Sequence, residues 1–181
     1  LATPLIEKLN AHFPQSKIDF LLRKGNEQLL LDHPKIHQLH IWNKKEKKIK
    51  NLFRILWKIR KEKYDYVINI QRFSSTGLLT AFSKSKQKIG FRSNPFSFLF
   101  TDVIPHSFEK EIHEIDRNLS LINKQTNNTR VLPKLYPNNN QYVKITLCKI
   151  TNSQHQKNVT KTSRQRPHFC NMNGDDKSII V

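Results

Sequence analysis

Residues 63–83 read Lys63-Tyr64-Asp65-Tyr66-Val67-Ile68-Asn69-Ile70-Gln71-Arg72-Phe73-Ser74-Ser75-Thr76-Gly77-Leu78-Leu79-Thr80-Ala81-Phe82-Ser83. The run from Tyr66 to Ile70 is short, apolar and rich in β-branched residues, the pattern of a strand buried on both faces. Gln71 to Ser75 reads as the turn after it, and Gly77 to Ser83 as a helix. A strand buried on both faces needs a layer on each side, so the flanking sequence is read for further strand–helix units.

Upstream, residues 47–62 carry Ile49, Leu52, Phe53, Leu56 and Ile59 as an apolar stripe at helical spacing. Lys47, Lys50, Arg54, Lys58 and Lys61 recur at steps of three and four on another face. Before that helix, Lys35 to Trp42 alternates through Ile36, Leu39 and Ile41, and Asn26 to Asp32 reads as a short helix ended by Pro34. Lys17 to Leu22 is strand-like, and Thr3-Pro4 supplies an N-cap and first-turn proline for a helix through Leu5, Ile6, Leu9 and Phe13. Downstream, Lys88 to Phe91 and Thr101 to Ile104 are shorter strands separated by a break at Asn94-Pro95. Glu111 to Asn123 is a helix with Ile112, Ile115, Leu119 and Ile122 on one side.

Strand and helix alternate in units of roughly 20–30 residues, which predicts an α/β, Rossmann-like parallel sheet with helices on both faces. The first strand of such a sheet is central, and the loop after it faces the ligand. The sequence opens directly in a helix, so the expected sheet lacks its first strand and is marginally stable for want of it.

From Asn138-Asn139-Asn140-Gln141 onward the pattern changes: no Glu, many Asn, Gln, Thr and Lys, and no lasting periodicity. Two regions are therefore expected, residues 1–137 as a Rossmann-like domain truncated at its start and residues 138–181 as an atypical, disordered or disrupted tail.

Composition narrows the chemistry. In 181 residues there are 32 Lys and Arg against 14 Asp and Glu, a net charge of +18, which calls for an anionic partner. Two cysteines exclude a disulfide scaffold, and no run approaches the roughly 18 apolar residues of a membrane span. None of the four glycines stands in a dinucleotide or Walker spacing. His113-Glu114 opens a zincin-like motif, but Arg117 stands at its second histidine position. Cys148, His155, His168 and Cys170 match no standard zinc spacing, so no metal is expected.

Two groups of residues are left as candidates. Residues 43–63 hold ten Lys or Arg against two Glu, either an ordinary solvated face or a docking surface for phosphate groups; the candidates there are Lys47, Lys50, Arg54, Lys58, Arg60 and Lys61. The second group is Gln71, Arg72 and Ser74 at the carboxyl end of the most buried strand, with Arg72 able to fork onto a phosphate or carboxylate. For the serines, plain capping is the competing reading.

In order along the chain, Leu1-Ala2-Thr3-Pro4-Leu5-Ile6, His12-Phe13-Pro14, Ile18-Asp19-Phe20-Leu21, Lys63 to Phe73, Ser75-Thr76-Gly77-Leu78-Leu79, Lys88-Ile89-Gly90-Phe91 and His113-Glu114-Ile115-Asp116-Arg117-Asn118-Leu119 resemble the lipopolysaccharide heptosyltransferases, glycosyltransferase family 9. The resemblance runs over residues 1–137. It implies the N-terminal, acceptor-binding half of a GT-B enzyme that transfers heptose from ADP-heptose to the inner core of lipopolysaccharide. It also implies a cytoplasmic protein peripheral to the inner membrane, with lipid A and inner-core lipopolysaccharide, the anionic membrane surface and a nucleotide sugar as partners. The family's usual base, an Asp in a G-D-V-L turn, would precede Leu1, so no catalytic residue is carried over and the chain is expected to be inactive alone. No cofactor is implied; the donor sugar belongs to a C-terminal domain whose strand–turn–helix pattern residues 144–181 do not show.

Two further readings stay open. A nucleic-acid-binding module without enzymatic activity fits the charge but has no helix-turn-helix, RNA-recognition or zinc-finger signature. An inert remnant of the enzyme fits the missing strand.

Overall fold

The computed structural model describes residues 2–105, 112–134, 136 and 177–181. The chain divides into two units, Leu1–Tyr136 with Gly174–Val181, and Pro137–Asn173, the latter outside the described residues. In chain order the elements are α1 (Thr3–His12), β1 (Lys17–Arg23), β2 (Gln38–Trp42), α2 (Lys48–Glu62), β3 (Tyr66–Asn69), α3 (Ser74–Ala81), β4 (Gln87–Phe91), β5 (Asp102–Ile104), α4 (Glu114–Ser120) and β6 (Ser178–Ile180).

All the strand pairings are parallel, and the sheet order is β2-β1-β6-β3-β4-β5. Counted from β6 as the first strand, this is the 3-2-1-4-5-6 order of a doubly wound dinucleotide-type fold. The expected parallel α/β sheet is present, but the lane expected to be empty is filled. Ser178, Ile179 and Ile180, placed by the sequence in a disordered or disrupted tail, form the central strand; residues 138–176 of that tail lie outside the described residues.

The physical reason is pairing on both sides. A segment between two parallel strands pairs along both edges, so three residues suffice to hold it. Lys17 N–H donates to Lys177 O (3.0 Å), Val181 N–H to Asp19 O (3.0 Å) and Leu21 N–H to Val181 O (2.9 Å) on the β1 side. On the β3 side Asp65 N–H donates to Ser178 O (2.8 Å), while Ser178 N–H donates back to Asp65 Oδ2 (3.0 Å). Lys86 Nζ lies 2.7 Å from the other oxygen of Asp65. The hydrogen bond from Lys86, then that from Ser178, hold the Asp65 carboxyl below the usual carboxylate range.

The two faces of the sheet carry separate cores. Leu5, Ile6 and Leu9 of α1 and Ile115 and Leu119 of α4 pack with Ile18, Phe20, Ile68, Ile89 and Ile179. Ile55, Leu56 and Ile59 of α2 and Leu79 of α3 pack with Trp42, Tyr64, Val67 and Ile180. Neighbouring residues Ile179 and Ile180 thus serve opposite faces, as a strand's alternation requires. Each contributes the ~1.5–3 kcal/mol of a fully buried aliphatic side chain.

Several boundaries differ from the sequence reading. Ala2, not Thr3, is the N-cap of α1. The 26–32 helix is a single 3-10 turn at Glu27–Leu29, and α3 begins at Ser74, three residues earlier than expected. His113 caps α4, its Nδ1 accepting from Ile115 N–H at 3.1 Å, which gives the zincin-like dipeptide a structural role. Within the expected stripe of α2, Leu52, Leu56 and Ile59 pack inward with Ile55, whereas Ile49 and Phe53 face solvent.

Candidate functional site at the carboxyl edge of the sheet

The central strand β6 is short. Its neighbours β1 and β3 run on past it, and the space between them at their carboxyl ends is a cavity of about 340 Å³. In an open parallel sheet this edge, at the point where strand order reverses, is where ligands bind. Val181, just after β6, and Ala2, the N-cap of α1, both line it.

Strand ends bring polar groups to it, Arg23 from β1, Trp42 with the nearby Lys44 from β2, and Asn69 from β3, and Asn26, Gln71, Thr76 and Thr80 join them. Trp42 and Asn69 are buried, and Trp42 Nε1 and Asn69 Nδ2 have no hydrogen-bond partner among the described residues. An unsatisfied buried N–H costs roughly 1–3 kcal/mol. Lys44 Nζ lies 4.2 Å from the centre of the Trp42 ring and 5.7 Å from that of Phe73, half-buried beneath the cavity rim. Burial, then the charges of Arg23 and Lys48, push its ammonium below the ordinary lysine range. Among the described residues, no Asp or Glu lines the cavity. The cavity therefore offers positive charge, through Arg23 and Lys44, to an anionic ligand.

The carboxylates near the sheet are engaged elsewhere. Asp19 accepts from His37 Nδ1 (3.0 Å), His40 Nε2 (3.3 Å) and the Tyr64 hydroxyl. Glu7 holds Lys35 Nζ at 2.7 Å and the Tyr136 hydroxyl at 2.9 Å, and Asp102 binds Lys124 and Gln125. No three His, Cys, Asp or Glu side chains converge as a metal site among the described residues, and Cys148, His155, His168 and Cys170 lie outside them.

The nine residues singled out from sequence fall in two places. Lys47, Lys50, Arg54, Lys58, Arg60 and Lys61 are all exposed on or just before α2, and none lines the cavity. Of the loop residues Gln71 lines it, whereas Arg72 and Ser74 are exposed beside it. Ser74 is the first residue of α3 and does not cap it; Phe73 holds the N-cap position without a side-chain bond. The loop is held by Asn94, whose Nδ2 donates to Gln71 O and Phe73 O, both at 3.1 Å, while its Oδ1 accepts from Phe96 N–H at 3.0 Å.

Sequence reasoning missed Arg23, Trp42, Lys44 and Asn69. The available signal was position rather than motif: each stands at or just beyond the carboxyl end of a strand.

Comparison with known proteins agrees with this architecture. The profile of glycosyltransferase family 9 (heptosyltransferase) matches residues 52–172. A lipopolysaccharide heptosyltransferase 3 of Escherichia coli is 34% identical over 93 residues, covering 49% of this chain and 27% of that protein. The protein of the same name from Escherichia coli strain K12 is 33% identical over 132 residues, 67% of this chain and 37% of its own length. Among solved structures, a family 9 glycosyl transferase of Veillonella parvula DSM 2008 superposes with a TM-score of 0.68 at 17% identity, over 87% of this chain and 47% of that one. The ADP-heptose lps heptosyltransferase II of E. coli gives a TM-score of 0.60 at 19% identity, over 84% and 47%. The chain thus spans between about a quarter and two fifths of the curated relatives and about half of the solved ones.

Proposed function

The chain belongs to glycosyltransferase family 9, and on that premise we propose that its sheet unit is the acceptor-binding half of a GT-B heptosyltransferase. The complete enzyme transfers heptose from ADP-heptose to the inner core of lipopolysaccharide, at the cytoplasmic face of the inner membrane. The nucleotide sugar is held by the other domain, and the acceptor, built on lipid A and carrying phosphates and acidic sugars, is held by this one.

The observation that supports this most is the cavity at the carboxyl edge, where Arg23 and Lys44 bring two cationic side chains to a lining that also holds Asn69 and Gln71. A phosphate or sugar carboxylate accepts from both cations. Gln71, Arg72 and Ser74 form the exposed loop at the mouth, within reach of the outer sugars of a branched acceptor.

The test is a calorimetric titration of the chain with deacylated inner-core oligosaccharide, which removes any contribution from lipid. The expected result is binding that Lys44→Glu and Arg23→Glu each weaken by at least about tenfold. Equal affinity in both variants overturns the assignment.

A further inference from the structure

Helix α2 has more apolar surface than its place on the sheet requires. Leu52, Ile55, Leu56 and Ile59 pack inward against Trp42, Val67, Leu79 and Ile180. A second row, Ile49, Phe53 and Trp57, runs along the solvent side at steps of four, with 69%, 59% and 68% of each residue exposed. Large apolar residues exposed singly are ordinary, but three aligned on one helix face form a contiguous patch.

The patch is bordered by cations. Lys50, Arg54 and Lys58 form the adjacent row, each one residue beyond a member of the apolar row, and all are exposed. Trp57 and Phe53 share a shallow depression with Arg60, Lys61 and Lys84, and Lys61 Nζ lies 5.7 Å from the Trp57 ring centre. The only acidic residue of α2 is its last, Glu62.

We propose that this face of α2 is a membrane-insertion ridge: Ile49, Phe53 and Trp57 enter the headgroup boundary of an anionic leaflet while Lys50, Arg54, Lys58 and Lys61 hold its phosphates. A helix combining an apolar row with a dense basic row lies in the plane of an anionic interface, gaining from both buried area and charge. Tryptophan is suited to that depth, with an apolar body and one polar N–H. A second copy of the chain would set the same cations against one another. A purely phosphate-bearing partner such as duplex DNA answers the charges and leaves the apolar row without a role.

The proposal rests on the reading of this unit as the acceptor-binding half of an enzyme whose acceptor is lipid-anchored, and it specifies how the domain meets that lipid. The ridge begins close to the cavity, because α2 starts at Lys48, just after Trp42 and Lys44 of the cavity wall.

The experiment is vesicle co-sedimentation of the 181-residue chain, with tryptophan fluorescence read in parallel. The vesicles are phosphatidylglycerol with phosphatidylethanolamine, or phosphatidylcholine alone. The expected result is binding to the anionic vesicles only, with a blue-shifted emission that bromine-labelled acyl chains quench. The double variant Phe53→Ser, Trp57→Ser, whose sites are exposed and outside both cores, should lose at least about tenfold in partitioning. Lys50→Glu, Arg54→Glu and Lys58→Glu together should remove it. Wild-type partitioning in the double variant overturns the ridge. So does a solution dimer that the double variant abolishes, or tight duplex DNA binding that the double variant loses. Vesicle binding that persists while the deacylated oligosaccharide fails to bind sinks the acceptor reading and leaves the ridge standing.

Discussion

Gly77 and Asn94 touch. A Cβ added at Gly77 would fall 1.9 Å from Asn94 Oδ1 and 2.7 Å from its Cγ, so this turn of α3 is docked directly on the buried amide that ties down the Gln71–Phe73 loop. The amide is 2% exposed and fixed by its bonds to Gln71, Phe73 and Phe96, so it cannot swing away without breaking them. Gly77→Ala is therefore expected to cost about 1–3 kcal/mol by overpacking. Because Gln71 lines the cavity, the same change should also weaken oligosaccharide binding. Urea unfolding and the titration above check the two effects; a stable, fully binding variant would mean that the loop does not depend on this contact.

Ile179 offers a second test, of the central strand. It is 1% exposed among the α1 and α4 side chains, between β1 and β3. Ile179→Ala is expected to destabilise the domain by about 2–5 kcal/mol, the range of large-to-small changes in a packed core. The same substitution in an unpaired tail would leave the unfolding midpoint unmoved. Hydrogen exchange gives an independent reading, since the amides of Val181 and Leu21 donate across the lane and should be among the slow ones.

The alternation of strands and helices was legible because each long element carries its own period, as β3 and α2 do. The central strand was not, because Ser178-Ile179-Ile180 is too short for any periodicity and its stability comes from edges more than a hundred residues away. On α2 the hydrophobic pattern located the helix but could not say which of two apolar rows faces the sheet; only packing against Trp42 and Val67 decides that. The cavity residues Arg23, Trp42, Lys44 and Asn69 share no motif and are gathered from three strand ends by topology alone. The two candidate groups, the basic residues of α2 and the Gln71–Ser74 loop, stand on different surfaces, and of these residues only Gln71 lines the cavity.

Acid should destabilise this domain in two stages. Burial, with help from the Lys35 charge, pushes His33 below its ordinary range against the pull of Glu7. For Glu7 burial acts upward, but hydrogen bonds from Lys35 and Tyr136 outweigh it and leave the carboxyl low. Asp19 is likewise raised by burial and lowered by more through His40, Tyr64 and His37. In each case the folded protein holds the proton less tightly than the unfolded chain, so the stabilising contribution is present above the unfolded pKa and lost as pH falls. His33 should act first, from about pH 6.5 downward, and the carboxylates from about pH 4. Urea midpoints measured from pH 8 to pH 3 should show both declines, and His33→Gln should flatten the first. A profile level between pH 7.5 and pH 5.5 would contradict this assignment.

Tyr64 sets the alkaline limit. Its ring is buried in the α2 and α3 core, and its hydroxyl donates to Asp19 while lying 3.0 Å from His40 Nε2. Burial, then the hydrogen bond and charge of Asp19, push the phenol far above its ordinary value. A group raised on folding contributes stability that is present below its unfolded pKa, near 10, and is lost as pH climbs above it. Tyr64 is therefore expected to ionise only as the domain unfolds, which absorbance at the phenolate band resolves as a late, cooperative step. Tyr64→Phe removes that step and at neutral pH costs about 1–3 kcal/mol, because buried Asp19 loses a donor. Survival of the late step in the variant would assign it to another tyrosine and refute the buried Tyr64–Asp19 bond as its source.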